Sequence, residues 1–228
     1  MTNKKLKLKR KTKIMKIAII GIEGTARNII EQIDDAVKNH GYQAEIAGVV
    51  IDTYPSGSLM AGFPVLCGTW NIDTLLNDTG ISFIFALYKP DKLKERYNIL
   101  MSYRIPYERF TNFVHPMAYV ARSVRMGNGN VILSNSTIQS NVIIGDFNII
   151  NSGVTIEHES VLGNGNFIAA NSCLGSKVKI GSHCFIGLNS SVRENVTLGD
   201  ELFVGMHSLV LKDYGNEIIT GIPAKPIS

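Results

Sequence analysis

Between Val120 and Val210 every sixth position is aliphatic: Val120, Met126, Ile132, Ile138, Ile144, Ile150, Ile156, Leu162, Ile168, Leu174, Ile180, Ile186, Val192, Leu198, Val204 and Val210. A half-buried strand would alternate with a period of about two, and a surface helix with one of about 3.6. A period of six fits neither. It predicts a parallel β-helix whose flat sides turn every six residues, each side sending one aliphatic side chain inward. A slower period overlies it. Gly127, Gly145, Gly163, Gly181 and Gly199 recur every eighteen residues, so three hexapeptides make one triangular coil and these glycines stack at one corner. Glycine is expected there because it tolerates the positive φ of a tight turn. Val142, Val154, Ser160, Ser172, Val178, Cys184, Ser190 and Val196, each two before an aliphatic position, are small or β-branched and suit a narrow prism interior. The ninety residues from 120 to 210 make five coils.

Ahead of the repeat the pattern changes. Lys16 to Gly21 reads as a buried strand ending in a turn. From Thr25 to Val37, Ile29, Ile30, Ile33, Ala36 and Val37 fall at helical spacing, and His40-Gly41 ends that helix. Ala44 to Ile51 is a second apolar strand with Asp52 at its end. A loop over Tyr54 to Gly57, the segment Phe63 to Leu66, a short helix near Thr74, a strand from Ile81 to Leu87 and a helix from Asp91 to Met101 follow. Alternating strands and helices predict a small parallel sheet. The fold class is therefore an α/β, Rossmann-like N-terminal domain over residues 15–113 followed by an all-β parallel β-helix over 114–228.

Charge alters the picture only at the start. The formal net charge is +4, yet Lys4, Lys5, Lys7, Lys9, Arg10, Lys11, Lys13 and Lys16 crowd the first residues. Setting these eight aside from the 23 basic residues leaves 15 against 19 acidic ones. The body is thus mildly acidic, which speaks against a nucleic-acid binder. Residues 1–14 read as a disordered basic leader, a solvated tail or an upstream start ahead of Met15, with binding to an anionic surface as the functional alternative. No run of eighteen apolar residues predicts a membrane span, and the leader lacks the apolar core of a secretory signal. Cys67, Cys173 and Cys184 are odd in number and irregular in spacing, which fits a reducing compartment.

Two places carry chemistry. Gly21-Ile22-Glu23-Gly24 follows the first strand and opens a helix, which presents backbone N–H groups to an anion. Asp52 could accept hydrogen bonds from a ribose or a base. The fingerprint Gly-x-Gly-x-x-Gly is absent, so redox use of a dinucleotide is not expected. In the repeat, His158 lies two residues past core Ile156, near a corner, and Glu157 or Glu159 could bond its Nδ1 and fix the tautomer. Ser176 is eighteen residues later and should stack above His158, about 4.8 Å along the prism axis. Its N–H is then the natural oxyanion donor, and Gly175 beside it would let a thioester approach. Lys225 could meet phosphates or be solvated. A zinc site would need convergent histidines, and His158, His183 and His207 put no close pair in one coil.

The two halves together resemble a known family, the left-handed β-helix acetyltransferases acting on nucleotide-linked amino sugars. The bacillosamine-pathway N-acetyltransferases and the sialic-acid O-acetyltransferases typify it. Ile19-Ile20-Gly21-Ile22-Glu23-Gly24, Phe63-Pro64-Val65-Leu66, Val114-His115-Pro116, Asn151 with Ile156-Glu157-His158-Glu159, Val178-Lys179-Ile180-Gly181 and Gly221-Ile222-Pro223-Ala224-Lys225-Pro226 carry the resemblance. It implies a homotrimer working in cytoplasmic polysaccharide biosynthesis, with acetyl-CoA as co-substrate in a groove between subunits and no metal. The acceptor implied is the amine of a nucleotide-linked 4-amino-4,6-dideoxy sugar held by the N-terminal domain. His158 would be the general base and Glu159 its polarising acid, with the sugar nucleotide meeting Glu23, Gly24, Thr25, Asp52, Thr53 and Tyr88. Acetyl-CoA would lie near Phe167, Gly175, Leu188, Gly205, Met206 and Lys225. The chain departs from the family at Thr25, where a histidine is common, at Thr53, the second acid of its pair, at Tyr88, for a glycine, and at Phe167, for a histidine. Outward apolar residues such as Phe167 and Phe185 would be covered by neighbouring copies. A sugar O-acetyltransferase and a non-catalytic β-helix scaffold are the competing readings.

Overall fold

The computed structural model describes residues 14–227; residues 1–13 of the leader lie outside the described residues. The N-terminal unit is built on a sheet of β1 (Met15–Gly21), β2 (Ala44–Val50), β3 (Leu59–Met60), β4 (Phe63–Cys67) and β5 (Ile81–Ala86). Its order is β3-β4-β2-β1-β5, parallel except for the β3–β4 hairpin. Helix α1 (Glu23–His40) buries Ala26, Ile29, Ile30, Ile33 and Ala36, the stripe expected from their spacing. It ends where Gly41 takes φ 69° and turns its N–H back to Ala36 O. Gly21 permits the tight strand-to-helix turn: a Cβ there would lie 2.6 Å from Ala26 Cβ. The short α2 (Asp73–Leu76) and α3 (Leu93–Ser102) complete the unit.

The repeat is a left-handed parallel β-helix of two-residue strands stacked eighteen residues apart on three faces. The first face runs from Phe113–Val114 through Ile149–Ile150 and Phe203–Val204 to Ile218–Thr220, the second from Tyr119–Val120 to Leu209–Val210, and the third from Arg125–Met126 to Thr197–Leu198. The sixfold aliphatic series fills the prism from Ile132 onward; Val120 and Met126, in the opening coil, are half-buried.

The eighteen-residue glycines have a different cause from the one expected. Gly127, Gly145, Gly163, Gly181 and Gly199 are not at positive φ. They are needed because successive coils touch there: a Cβ on Gly163 would lie 2.7 Å from Gly181 O and 2.6 Å from Ser182 Oγ. The left-handed corner falls instead at every sixth residue from Gly129 to His207, and Asn135, Phe147, Glu159, Lys177 and His183 adopt it without being glycine. The interior also holds a polar ladder. Asn130, Asn148 and Asn166 are fully buried, and each side-chain oxygen accepts the N–H one coil on, at 2.9 Å from Asn148, 3.0 Å from Asn166 and 2.7 Å from Cys184. Ladders of this kind satisfy the corner amides that the prism would otherwise bury unpaired.

The two units share one core. Phe113, Val131, Leu133, Phe147 and Ile149 of the first face are buried with the sheet residues of the N-terminal unit. Phe147 has φ 54°, a conformation that costs an L-residue roughly 1–2 kcal/mol. Its ring is offset by burial among Phe85, Tyr97 and Phe110, at centroid distances of 6.3, 5.7 and 4.8 Å. At the neighbouring corners Gln32 of α1 accepts from Ser134 N–H at 3.1 Å, and Lys94 of α3 pairs with Glu201 at 2.6 Å. Phe167 and Phe185 pack against the chain's own N-terminal unit, so their cover comes largely from within the chain rather than from a neighbour.

Candidate active site

His158 sits on the corner between the second and third faces, where the chain turns from Thr155–Ile156 to Val161–Leu162. Its Nδ1 is 3.1 Å from Glu159 Oε1. A carboxylate only accepts, so in the neutral imidazole Nδ1 carries the proton and Nε2 keeps the lone pair. Glu159, rather than Glu157, is therefore the acid that pairs with His158. It reaches His158 from a left-handed corner at φ 61°, and its other oxygen faces Lys177 Nζ at 3.8 Å. Both members of the pair are about half exposed, at 45% and 49%.

The register Thr155↔Cys173 and Ile156↔Leu174 puts Ser176 one coil above His158. Lys177 N–H takes His158 O at 3.0 Å, and Ser176 O accepts Asn195 N–H at 2.9 Å. Among the described residues the Ser176 N–H has no acceptor and is available to a ligand. Gly175 is explained by packing: a Cβ there would lie 2.6 Å from Glu194 N in the next coil. The same holds at Gly205, where a Cβ would lie 2.5 Å from Thr220 Oγ1.

The remaining residues expected near acetyl-CoA divide among places one chain does not join. Leu188, Gly205 and Met206 lie on the corner between the first and second faces, with Leu188 47% and Met206 71% exposed. Phe167 lies on the first face under Tyr88, at a centroid distance of 6.0 Å. Lys225 is exposed and lines a cleft of about 610 Å3 with Lys212, Tyr214 and Pro223. Lys212 stands three coils above His158 in the column His158, Ser176, Glu194, Lys212, about 14 Å along the axis. That spacing was the signal by which the sequence could have disclosed Lys212. A wider cleft, about 960 Å3 between α3 and the first face beside His183 and Phe203, is on another side of the prism.

The second set of expected residues lines the C-terminal edge of the parallel sheet. The first-turn N–H groups of Glu23, Gly24 and Thr25 open α1 with no side-chain cap. Glu23 accepts from Tyr54 OH at 2.7 Å. Asp52 and Thr53 are exposed at the end of β2, and both Asp52 oxygens hold the Thr69 turn, accepting its N–H at 2.6 Å and its hydroxyl at 3.0 Å. Tyr88 departs from expectation. It is buried, its hydroxyl donates to Phe147 O at 2.8 Å, and burial drives its pKa far up. Its side chain therefore joins the two units and is not presented to a ligand.

His158 and this sheet edge do not meet within one chain. The N-terminal unit packs on the first face and reaches its corners at Ser134 and Glu201, whereas His158 and Ser176 stand on the corner opposite that face. His158, His183 and His207 occupy three different corners, so they do not converge on a metal. Asp35, His40 and His115 do cluster, with Asp35 Oδ2 at 3.3 and 3.2 Å from the two Nε2 atoms. His115 Nδ1, however, accepts Met117 N–H at 3.2 Å, so its Nε2 carries a proton for Asp35. The cluster is a hydrogen-bonded clasp between α1 and the start of the prism.

Known proteins share both the prism and the unit in front of it. The family described as the hexapeptide repeat of succinyl-transferase matches residues 177–210. A perosamine N-acetyltransferase from Caulobacter crescentus, crystallised with CoA and GDP-perosamine, superimposes with a TM-score of 0.79 at 27% identity, over 93% of this chain and 96% of that one. The acetyltransferase domain of PglB from Neisseria gonorrhoeae, crystallised with acetyl coenzyme A, gives 0.78 at 24% identity, over 93% and 99%. WeeI from Acinetobacter baumannii AYE gives 0.74 at 18% identity, over 92% and 99%, and like the PglB domain attests the fold alone. A search of curated proteins gives no match. No helix among the described residues is long and apolar enough to cross a membrane.

Proposed function

We propose that this chain, a hexapeptide-repeat acyltransferase of the sugar-acetyltransferase kind, moves the acetyl group of acetyl-CoA onto the amine of a nucleotide-linked 4-amino-4,6-dideoxy sugar. The observation that carries the reading is the His158–Glu159 pair at 3.1 Å beneath the free Ser176 N–H. The perosamine enzyme, bound to CoA and GDP-perosamine, supports both substrate classes. Each unit takes one substrate. Residues 15–113 hold the sugar nucleotide and residues 114–228 hold acetyl-CoA.

Each residue then has a chemical role. The first-turn N–H groups of α1 receive the diphosphate, helped by the positive end of the helix dipole. Lys212 and Lys225, in their cleft above His158, suit the phosphates of CoA. His158 Nε2 takes the proton released as the amine attacks the thioester carbonyl, and Glu159 stabilises the imidazolium. Ser176 N–H donates to the oxygen that gains negative charge. The imidazolium returns its proton to the departing CoA sulfur. Acetyl transfer is direct, with no acyl group on the protein.

The separation of His158 from its own sheet edge supports a site shared between copies. A closed ring of three lets the corner bearing His158 and Ser176 face a neighbour's corner bearing Leu188 and Met206, which covers that exposed apolar surface. Acetyl-CoA and sugar nucleotides are cytoplasmic metabolites, so we place the enzyme there, supplying acetylated sugars for polysaccharide assembly. Thiol release from acetyl-CoA, dependent on an aminated sugar nucleotide, tests the reading. Acetylation of a free sugar hydroxyl instead would contradict it.

A further inference from the structure

We propose that Trp70 is the platform on which the nucleobase of the sugar nucleotide stacks. The inference rests on the nucleotide-linked substrate proposed above and adds the residue that reads its base. Trp70 is the chain's single tryptophan and is 69% exposed. Its indole offers a broad, flat π face to a planar partner. The ring is held in place rather than waving free. Gly68, at the end of β4, lets it lie down on the backbone: a Cβ there would come within 2.5 Å of its Cζ2 and Cη2. Trp70 belongs to the one-turn 3-10 helix Thr69–Asn71, whose first residue is clamped by both oxygens of Asp52.

Trp70 is also in the right place along the sheet edge. The order β4-β2-β1-β5 sets three features side by side at the C-terminal edge: Trp70 after β4, Asp52 after β2, and the free N–H groups of Glu23, Gly24 and Thr25 after β1. Neighbouring strands are about 4.8 Å apart, so the phosphate donors and the indole stand roughly 10 Å apart, with Asp52 between them. A nucleotide has this sequence of parts and a comparable length. Its phosphates would lie on the α1 N-terminus, its ribose beside Asp52 and its base on Trp70. Each Asp52 oxygen keeps a lone pair for the ribose after accepting from Thr69. The hexose then points the other way, toward β5 and the prism. Stacking on an aromatic face tolerates any base and favours the wider purines.

The single tryptophan makes the test direct. UDP, GDP and dTDP are titrated against the full chain by calorimetry and by tryptophan fluorescence. The proposal expects a fluorescence change with the same half-saturation as the heat, and none with CoA alone. Trp70→Ala should raise the nucleotide Kd about tenfold or more, and Trp70→Phe should recover most of the loss. Gly68→Ala should also weaken binding, because it displaces the indole without removing it; Gly68 has φ −79°, which alanine accepts. All three variants should melt within a few degrees of wild type. Nucleotide binding with a Kd unchanged in Trp70→Ala overturns the platform and leaves the nucleotide reading intact. No heat with any of the three nucleotides overturns the nucleotide reading, and the platform with it.

Discussion

If His158 and the sugar-nucleotide edge belong to different chains, two dead variants should rescue each other. His158→Ala removes the base. Gly24→Glu disables the other half: a Cβ at Gly24 meets nothing within 4 Å, so the fold accepts it, yet it sets a carboxylate among the N–H groups that receive the diphosphate. Each variant alone should lose at least about a hundredfold in turnover or affinity. Co-expressed in equal amounts, the two chains mix at random. A site is intact when the chain giving His158 is the Gly24 variant and the chain giving the sheet edge is the His158 variant. Each condition holds for half the sites in the whole mixture, or about a quarter of sites intact; once single-variant rings are removed, each mixed ring of three keeps one intact site, so about a third of wild-type activity should return. The assay is thiol release by assemblies carrying two different affinity tags, purified through both. Doubly tagged assemblies no more active than either parent would refute the separation read from the prism, since a site within one chain cannot be rescued.

Other consequences are quicker to check. Asn148→Ala deletes side-chain bonds of 3.0 and 3.2 Å and strands the buried Asn166 N–H, so urea denaturation should show a loss of about 2–4 kcal/mol; a loss below about 0.5 would mean that the ladder contributes little. Phe147→Ala empties the junction of the two units and should cost about 3–5 kcal/mol in the same measurement. Burial holds His183 below the ordinary 6.5, so the unfolded chain binds its proton first and stability should fall as pH drops below about 6.5. His183→Gln should flatten that slope in melts taken across the window. Asp52→Ala frees the Thr69 turn and should raise KM for the sugar nucleotide well above any change for acetyl-CoA; equal changes would make it merely a turn brace.

The prism was legible because its period is carried by side chains of one kind. The N-terminal unit was legible because strand and helix patterns alternate, and α1 runs from Glu23 to His40 where its apolar spacing placed it. The corners were not. Left-handed residues such as Phe147, Glu159 and Lys177 share a backbone angle but no chemistry, and the glycines that do recur mark contact between coils. The asparagine ladder shares its register with serines and valines, so its polarity is obscured until the coils are stacked. His158 and Glu159 are neighbours in the chain, and their pairing could be read directly. Tyr88 could not, because its burial depends on how two distant segments dock. The division of the expected acetyl-CoA residues between two corners also needed the three faces assigned.

Everything proposed for the prism turns on His158 removing a proton from an attacking amine. Thiol release from acetyl-CoA with an aminated sugar nucleotide, followed for wild type and His158→Ala as pH is raised, reads that step alone. Turnover should fall about 10²–10⁴-fold at neutral pH, with binding of both substrates retained. A residual rate should climb with pH as free amine replaces the missing base, and Glu159→Gln should lose less. A His158→Ala enzyme turning over near the wild-type rate at neutral pH would show that His158 is not the base.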